Sequence, residues 1–131
     1  MEWEGPFEPE GSSVAAARLF ARGEFAAVTP RSMADLVLVV SELATNAVVH
    51  ARTPFSVGLH LGSALARIEV RDHSPGLPRE RSLALSTSNG RGLLIVATLA
   101  EEWGVDWDED SKTVWADVAI TRANSSRWEF R

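Results

Sequence analysis

Apolar positions in the first half of the chain recur at the spacing of three and four residues that is typical of amphipathic helices. A first helix is predicted over 14–25, where Ser12 or Ser13 can cap its amino end. A second helix is predicted over 30–51, because Thr29 is a favoured capping residue and the proline that follows it is tolerated at the first helical position. The second helix is predicted to end where Thr53-Pro54 follows, because the residue before a proline disfavours helical backbone.

The second half of the chain changes to the alternating pattern of half-buried strands. Strands are predicted over 55–61, 67–71 and 114–120, with a further strand that begins at Val105, and a helix is predicted over Gly90 to Trp103. Residues 73–89 have no period and form a long loop, of the kind that is usually functional. The first eleven residues are read as irregular chain or as an edge strand.

This order of elements predicts an α+β fold. Helices and strands are partly segregated along the chain, which favours a two-layer sandwich with the helices on one face of a mixed, mostly antiparallel sheet. We expect a single domain over residues 1–120 and a flexible tail over residues 121–131.

Composition narrows the range of functions. The chain has 131 residues, a net charge of −5 and no cysteine, which excludes disulfides, thiolate chemistry and cysteine-ligated metals. The acidic balance argues against direct contact with nucleic acid or with an anionic membrane. The amino end lacks the basic start and apolar run of a signal peptide, and the longest apolar run has five residues, so we expect a cytoplasmic protein.

The second predicted helix carries a polar line on an otherwise apolar surface. Glu42, Asn46 and His50 are spaced four residues apart and therefore lie on one side of the helix. A solvated face is one interpretation, but the segment 36–51 contains no lysine or arginine. A carboxylate, an amide and an imidazole in one line also suit a site that faces a polar ligand.

Asp72 lies in phase with the inward-facing residues of its predicted strand, Ile68 and Val70. A carboxylate at such a position is costly unless it is hydrogen-bonded. One interpretation is an Asx turn that ends the strand. The other is a buried acceptor for a donor on a ligand, such as an exocyclic amine.

Two further segments carry weaker signals. Asn89-Gly90-Arg91-Gly92-Leu93 places two glycines at a predicted helix start, which can be a plain cap or a site where backbone N–H groups and an arginine bind an anion. Thr113 is out of phase with the inward residues of its strand, so it points away from the face they share, as an ordinary strand threonine can.

Read in order, these segments resemble one family. The runs SELATNAVVHA, VRDHSPGLP, NGRGLLIV and KTVWADV follow one another in this order, and the resemblance covers about residues 12–120. They resemble the motifs of the ATP-binding family that includes histidine kinases, gyrase B and MutL, and most closely those of its small anti-sigma-factor serine kinases. The resemblance implies the Bergerat-type ATP-binding fold, with ATP and Mg²⁺ as cofactors.

The resemblance also implies roles for individual residues. Glu42 would be the catalytic carboxylate and Asn46 the Mg²⁺ ligand, and Asp72 would accept a hydrogen bond from the adenine amine. The remaining nucleotide-binding positions that the resemblance implies are His50, Gly76, Leu77, Gly90, Arg91, Gly92, Leu93 and Thr113, with 77–89 as the lid. The implied partners are a sigma factor and an antagonist protein of the anti-sigma factor, and a homodimer is compatible with the resemblance.

Two departures from the family pattern keep an alternative open. Ser74 replaces the first glycine after Asp72, and Ser86-Thr87-Ser88 stands where the anti-sigma kinases often carry an arginine near the terminal phosphate. The chain is thus read either as a protein serine/threonine kinase that acts on an antagonist, or as a nucleotide-dependent switch that binds partners without transferring phosphate.

Overall fold

The computed structural model describes residues 1–74 and 90–123. The elements, in chain order, are β1 (Glu2–Phe7), α1 (Gly11–Glu24), α2 (Pro30–Asn46) with a π-helical turn (Ala47–Ala51), β2 (Phe55–Leu61), β3 (Leu65–Asp72), α3 (Gly90–Leu99), β4 (Glu102–Trp107) and β5 (Lys112–Ala119). The predicted loop over 73–89 and the end of the tail lie mostly outside the described residues.

The five strands form one sheet in the order β1-β2-β3-β5-β4. Every pairing among them is antiparallel, so the sheet is not mixed. β1 and β4 are the edges, which confirms the interpretation of the first residues as an edge strand. The α+β sandwich predicted from the sequence is therefore confirmed.

One face of the sheet, here called the inner face, carries the core. The alternating apolar residues of β2, β3 and β5 are buried on this face and pack with the buried sides of α1 and α2. The buried inward positions are Phe55, Val57, Leu59, Ala66, Ile68, Val70, Val114, Ala116 and Val118. This burial holds α2 over the middle strands, and α3 packs beside α2.

The opposite face, here called the outer face, is covered by tryptophans and arginines. The Trp3 ring lies over Gly58 and the Trp115 ring over Gly104, so closely that a Cβ at either glycine would be within 3 Å of ring atoms. The guanidinium of Arg67 stacks 4.4 Å from the centroid of the Trp115 ring. This face is a thin aromatic layer with no helix on it among the described residues.

Two helix ends differ from the prediction. α1 begins at Gly11, with Glu10 in the capping position and no side-chain cap, so neither Ser12 nor Ser13 caps it. α3 ends at Leu99 rather than Trp103, because Trp103 pairs with Ala116 in the sheet. Tertiary pairing overrides the helical spacing there. The Thr29 cap is confirmed, since its Oγ1 accepts a hydrogen bond from the backbone N–H of Ser32 at 3.3 Å.

The start of the predicted tail is anchored. The Thr121 carbonyl accepts a hydrogen bond from the Thr29 N–H at 2.9 Å, and the Thr121 N–H donates to Ser32 Oγ at 2.9 Å. The Ala123 N–H donates to the Ala27 carbonyl at 2.8 Å. Residues 121–123 are therefore hydrogen-bonded to the folded domain, beyond the domain end predicted at residue 120. Residues 124–131 lie outside the described part of the chain.

The segment Pro30–Ala51 consists of α2 and the π-helical turn that continues it. By length and composition alone it is long and apolar enough to cross a membrane, with a mean hydropathy of 1.5. In the fold, 44% of its apolar window is buried inside the protein. The buried side of α2 packs on the sheet and in the core of the domain.

Candidate functional site

The structure brings the polar line of α2 to a cleft. Glu42, Asn46 and His50 line a cavity of about 450 Å³ together with Gly92 of α3. All three polar side chains are half-buried, with no Lys or Arg among the described residues that line the cavity. The interpretation as a site is thus favoured over the solvated face.

Gly92 explains how α3 comes so close to α2. A Cβ built on Gly92 would lie 3.0 Å from Glu42 Oε2 and 3.5 Å from Asn46 Oδ1. A Cβ at this position would be tight against the Glu42 carboxylate and in ordinary van der Waals contact with Asn46. Because glycine has no side chain, the amino end of α3 can lie close to Glu42 and Asn46.

The end of α2 changes its winding before His50. Residues 47–51 form a π-helical turn, in which the Arg52 N–H donates to the Ala47 carbonyl at 3.0 Å and Arg52 adopts a left-handed conformation with φ 56°. In a π turn each residue rotates less about the axis than in an α-helix, which moves His50 back toward the line of Glu42 and Asn46. Such turns occur frequently at functional sites.

Asp72 ends β3 on the inner face with its side chain 2% exposed. Its Oδ1 accepts a hydrogen bond from the Ser74 N–H at 2.8 Å, which is the Asx-type contact considered in the sequence. Its Oδ2 lies 3.4 Å from Nζ of Lys112. Asp72 is therefore both a turn residue and a buried acceptor, and it does not line the cleft formed by Glu42 and Asn46.

Lys112 is the site residue that sequence reasoning missed. It faces Asp72 across β3 and β5, where the register pairs the two residues, and its side chain is 9% exposed. The Lys112 ammonium also lies 5.7 Å from the centroid of the Trp107 ring. Lys112 is in phase with Val114, Ala116 and Val118, so the sequence did contain a signal that its side chain lies on the inner face.

Thr113 is on the other face of the sheet. It is paired with Arg71 in the register, and its Oγ1 accepts a hydrogen bond from Arg71 Nε at 3.1 Å. This agrees with its phase in the sequence and separates it from Asp72. The structure therefore does not support the contact with adenine that the resemblance implied for Thr113. The residue of β5 that lies on the inner face beside Asp72 is Lys112.

The structure gives positions for only some of the remaining residues that were predicted to bind the nucleotide. Gly90 and Arg91 are the first residues of α3, where the backbone N–H groups have no partner within the helix itself. Leu93 is half-buried in α3 and is not among the described residues that line the cleft. Gly76 and Leu77 lie outside the described residues, and so does the predicted lid.

The fold and the site together define a class of protein. A layer of helices on one face of an antiparallel sheet, with a polar helix line against the start of a glycine-containing helix, is suited to a nucleotide. The model of the histidine kinase-like ATPase domain family matches residues 6–118. The chain belongs to this family, which implies nucleotide binding and confirms the family predicted from the sequence.

Among solved structures, the chain is similar to the crystal structure of the RsbU and RsbW domains of Rv1364c from Mycobacterium tuberculosis. The TM-score is 0.69 at 18% identity, and the match covers 94% of this chain and 34% of that chain. The chain thus spans about a third of the length of that protein, and the likeness is one of fold. No curated protein sequence matched the chain.

Proposed function

We propose that this protein is an ATP·Mg²⁺-binding regulator of the anti-sigma-factor type, which transfers phosphate to a serine or threonine of an antagonist protein. The observation that carries the proposal is the cleft in which Glu42 and Asn46 meet Gly92 at the start of α3. The motif resemblance supplies the partners, a sigma factor and its anti-sigma antagonist, and we place the protein in the cytoplasm.

The nucleotide would be held at its two ends. Asp72, buried on the inner face, would accept a hydrogen bond from the adenine amine through Oδ2, because Oδ1 is already used by Ser74. The N–H groups at the start of α3 would bind the phosphates, since a helix amino end combines free donors with a favourable dipole. The π-helical turn packs against β3, the strand that ends at Asp72.

The residues present fit a magnesium ion that is shared with the nucleotide. Asn46 offers an amide oxygen beside the Glu42 carboxylate, and oxygen is the ligand that Mg²⁺ prefers. Among the described residues, no group of three His, Cys, Asp or Glu side chains could hold a metal by itself. A site of one or two protein ligands completed by phosphate oxygens is the usual arrangement for this ion. When bound, Mg²⁺ would neutralise charge on the phosphates.

Glu42 is the candidate catalytic carboxylate. Phosphoryl transfer needs mainly positioning and charge neutralisation from the protein, together with one group that orients or deprotonates the acceptor hydroxyl. The Glu42 side chain is half-buried and its Oε2 faces the amino end of α3. It would therefore hold the acceptor hydroxyl of the antagonist close to the phosphates.

Calorimetry with ATP tests the binding part of the proposal. Asp72→Asn should lower the affinity for ATP roughly 10- to 150-fold, because a hydrogen bond to a charged group contributes about 1.5–3 kcal/mol. Asp117→Asn, which removes a carboxylate from the outer face of the same two strands, is the matched control and should bind as the wild type does. Purine riboside triphosphate, which lacks the amine, should reproduce the loss with the unaltered protein. Equal affinities in all four measurements would remove Asp72 from the site.

Labelled ATP with candidate antagonist proteins tests the transfer. Glu42→Ala should keep its affinity for ATP and lose transfer, because this carboxylate acts on the acceptor and not on the base. Asn46→Ala should weaken ATP binding with Mg²⁺ present and leave it unchanged in EDTA. A loss of the same size in EDTA would contradict the metal role of Asn46.

A second function, a nucleotide-dependent switch without kinase activity, is favoured by one sequence feature. Ser86-Thr87-Ser88 replaces the arginine that the anti-sigma kinases often carry before the second glycine motif. In the same assay the switch predicts ATP-dependent binding of a partner with no labelled product. Transfer that depends on Glu42 would exclude it.

A further inference from the structure

Lys112 is a buried cation at a position where the fold needs only an apolar residue. It opens β5, and the next inward residues of that strand are apolar and buried. Burying an ammonium group is costly even when a carboxylate accompanies it, and replacing such a pair by apolar residues is often neutral or stabilising. The presence of Lys112 on the inner face is therefore not explained by stability.

The pair that Lys112 forms with Asp72 is a loose one. The distance of 3.4 Å between Lys112 Nζ and Asp72 Oδ2 exceeds the 2.7–2.9 Å of a typical charge-assisted hydrogen bond. Within the described part of the chain, the other contact of the Lys112 ammonium is the Trp107 ring. An ammonium group has three N–H donors, so the geometry leaves donors for a ligand.

A donor and an acceptor thus stand side by side at the inner end of the sheet. Their complement is a flat heterocycle that carries an amine next to a ring nitrogen with a free lone pair. The carboxylate would accept from the amine while the ammonium donates to the ring nitrogen. The Trp107 ring beside Lys112 adds a flat apolar surface of the kind that suits such a heterocycle.

We propose that Lys112 is a second base-reading residue, which donates a hydrogen bond to N1 of adenine while Asp72 accepts one from the adjacent amine. The proposal rests on the ATP binding proposed above and adds a specificity-determining residue to it. It also gives a reason for the outward placement of Thr113, whose hydroxyl is bound to Arg71 on the other face.

The test compares ATP with 1-deaza-ATP, in which a C–H replaces N1 and the amine is kept. By calorimetry on the full chain, the wild type should bind 1-deaza-ATP about ten-fold or more weakly than ATP, as expected for the loss of one hydrogen bond from a charged donor. Lys112→Met should bind the two nucleotides equally. Arg67→Met is the matched control, because it removes the cation of an ion pair between the same two strands on the outer face; it should keep the wild-type ratio.

The outcomes separate this inference from the proposed function. Equal affinity of the wild type for ATP and 1-deaza-ATP, with weaker binding of purine riboside triphosphate, would overturn the role of Lys112 and leave ATP binding in place. A ratio that persists in Lys112→Met would also overturn it. Absence of any ATP binding would overturn both proposals. If Lys112→Met does not fold, Lys112→Gln, whose shorter side chain keeps an N–H donor, should show a smaller ratio than the wild type, and an unchanged ratio in that variant would overturn the role of Lys112.

Discussion

Two ion pairs join the same two strands, β3 and β5, on opposite faces of the sheet. On the outer face, Arg67 donates to both carboxylate oxygens of Asp117, at 2.8 and 2.9 Å, with the two side chains 37% and 20% exposed. On the inner face, Lys112 and Asp72 are almost completely buried, yet their closest approach is 3.4 Å. The outer pair therefore has the better hydrogen-bond geometry. Its contribution to stability is nevertheless expected to be the smaller one, because solvent screens its charges.

The outer pair has the properties of a structural contact. The hydrogen bonds and charge of Arg67 lower the pKa of Asp117 below its ordinary value, and the hydrogen bonds that Arg67 donates to Asp117 raise the pKa of Arg67. Arg67 and Asp117 make a two-pronged contact, and Arg67 also approaches Glu69 at 3.5 Å and stacks on Trp115. The inner pair leaves donors and acceptors that are not fully used. This difference is the reason why we propose a ligand at the inner pair and not at the outer one.

Breaking the inner pair should have the largest effect on stability. Lys112→Met leaves the buried Asp72 carboxylate without its cation, which should cost about 3–5 kcal/mol of the free energy of unfolding. The double variant Asp72→Asn with Lys112→Met should recover most of this loss, because it removes both charges. Denaturant unfolding measures both, and a loss below about 1 kcal/mol in Lys112→Met would mean that the two faces do not differ as described.

Filling the space at Gly92 should change the affinity for ATP more than the stability. In Gly92→Ala the added Cβ would lie 3.0 Å from Glu42 Oε2, so the end of the Glu42 side chain must shift by a few tenths of an ångström, while alanine favours the helix more than glycine does. ATP affinity should fall because the added methyl group takes up space at the proposed phosphate-binding end of α3. Gly104→Ala, whose Cβ would meet the Trp115 ring on the outer face, should lose stability but keep its affinity for ATP. Similar losses of affinity in the two variants would contradict the assignment of the site to the inner side.

Removing the hydroxyl of Thr113 sharpens the same distinction. Thr113→Val eliminates the hydrogen bond from Arg71 on the outer face and should cost about 0.5–1.5 kcal/mol in unfolding experiments. Because Thr113 does not share a face with Asp72, calorimetry should find the affinity for ATP unchanged. A clear drop in affinity would restore Thr113 to the nucleotide site and count against Lys112.

The smallest effect is expected at the outer pair itself. Asp117→Asn should cost less than about 1 kcal/mol at neutral pH, because solvent screens this half-buried pair and asparagine keeps an oxygen that accepts from Arg67. Because the pKa of Asp117 is lowered in the folded protein from 3.8, the contribution of the pair is present above pH 3.8 and disappears as the pH falls through the lower folded value. Stability curves of the wild type and Asp117→Asn should therefore converge only below about pH 3.8. A difference that vanishes near neutral pH would contradict this account.

The sequence alone determined most of the elements and one line of the site. The segments 14–25, 30–51 and 55–61 have a hydrophobic spacing that needs no tertiary information, and the structure contains elements over all three. The shared side of Glu42, Asn46 and His50 also follows from helix geometry. The family followed from motifs that lie in separate elements but keep their order along the chain.

Only the tertiary structure decided what surrounds these residues. The antiparallel register of β3 and β5 sets Lys112, and not Thr113, beside Asp72, and a slip of one residue would have exchanged the two. The close approach of Gly92 to Glu42 joins two helices that are fifty residues apart in sequence. The end of α3 was likewise set by the pairing of Trp103 with Ala116. The local spacing of apolar residues determines which side of a helix or strand is buried. Which residues that side contacts is determined by pairing between distant segments, and this pairing leaves no local pattern in the sequence.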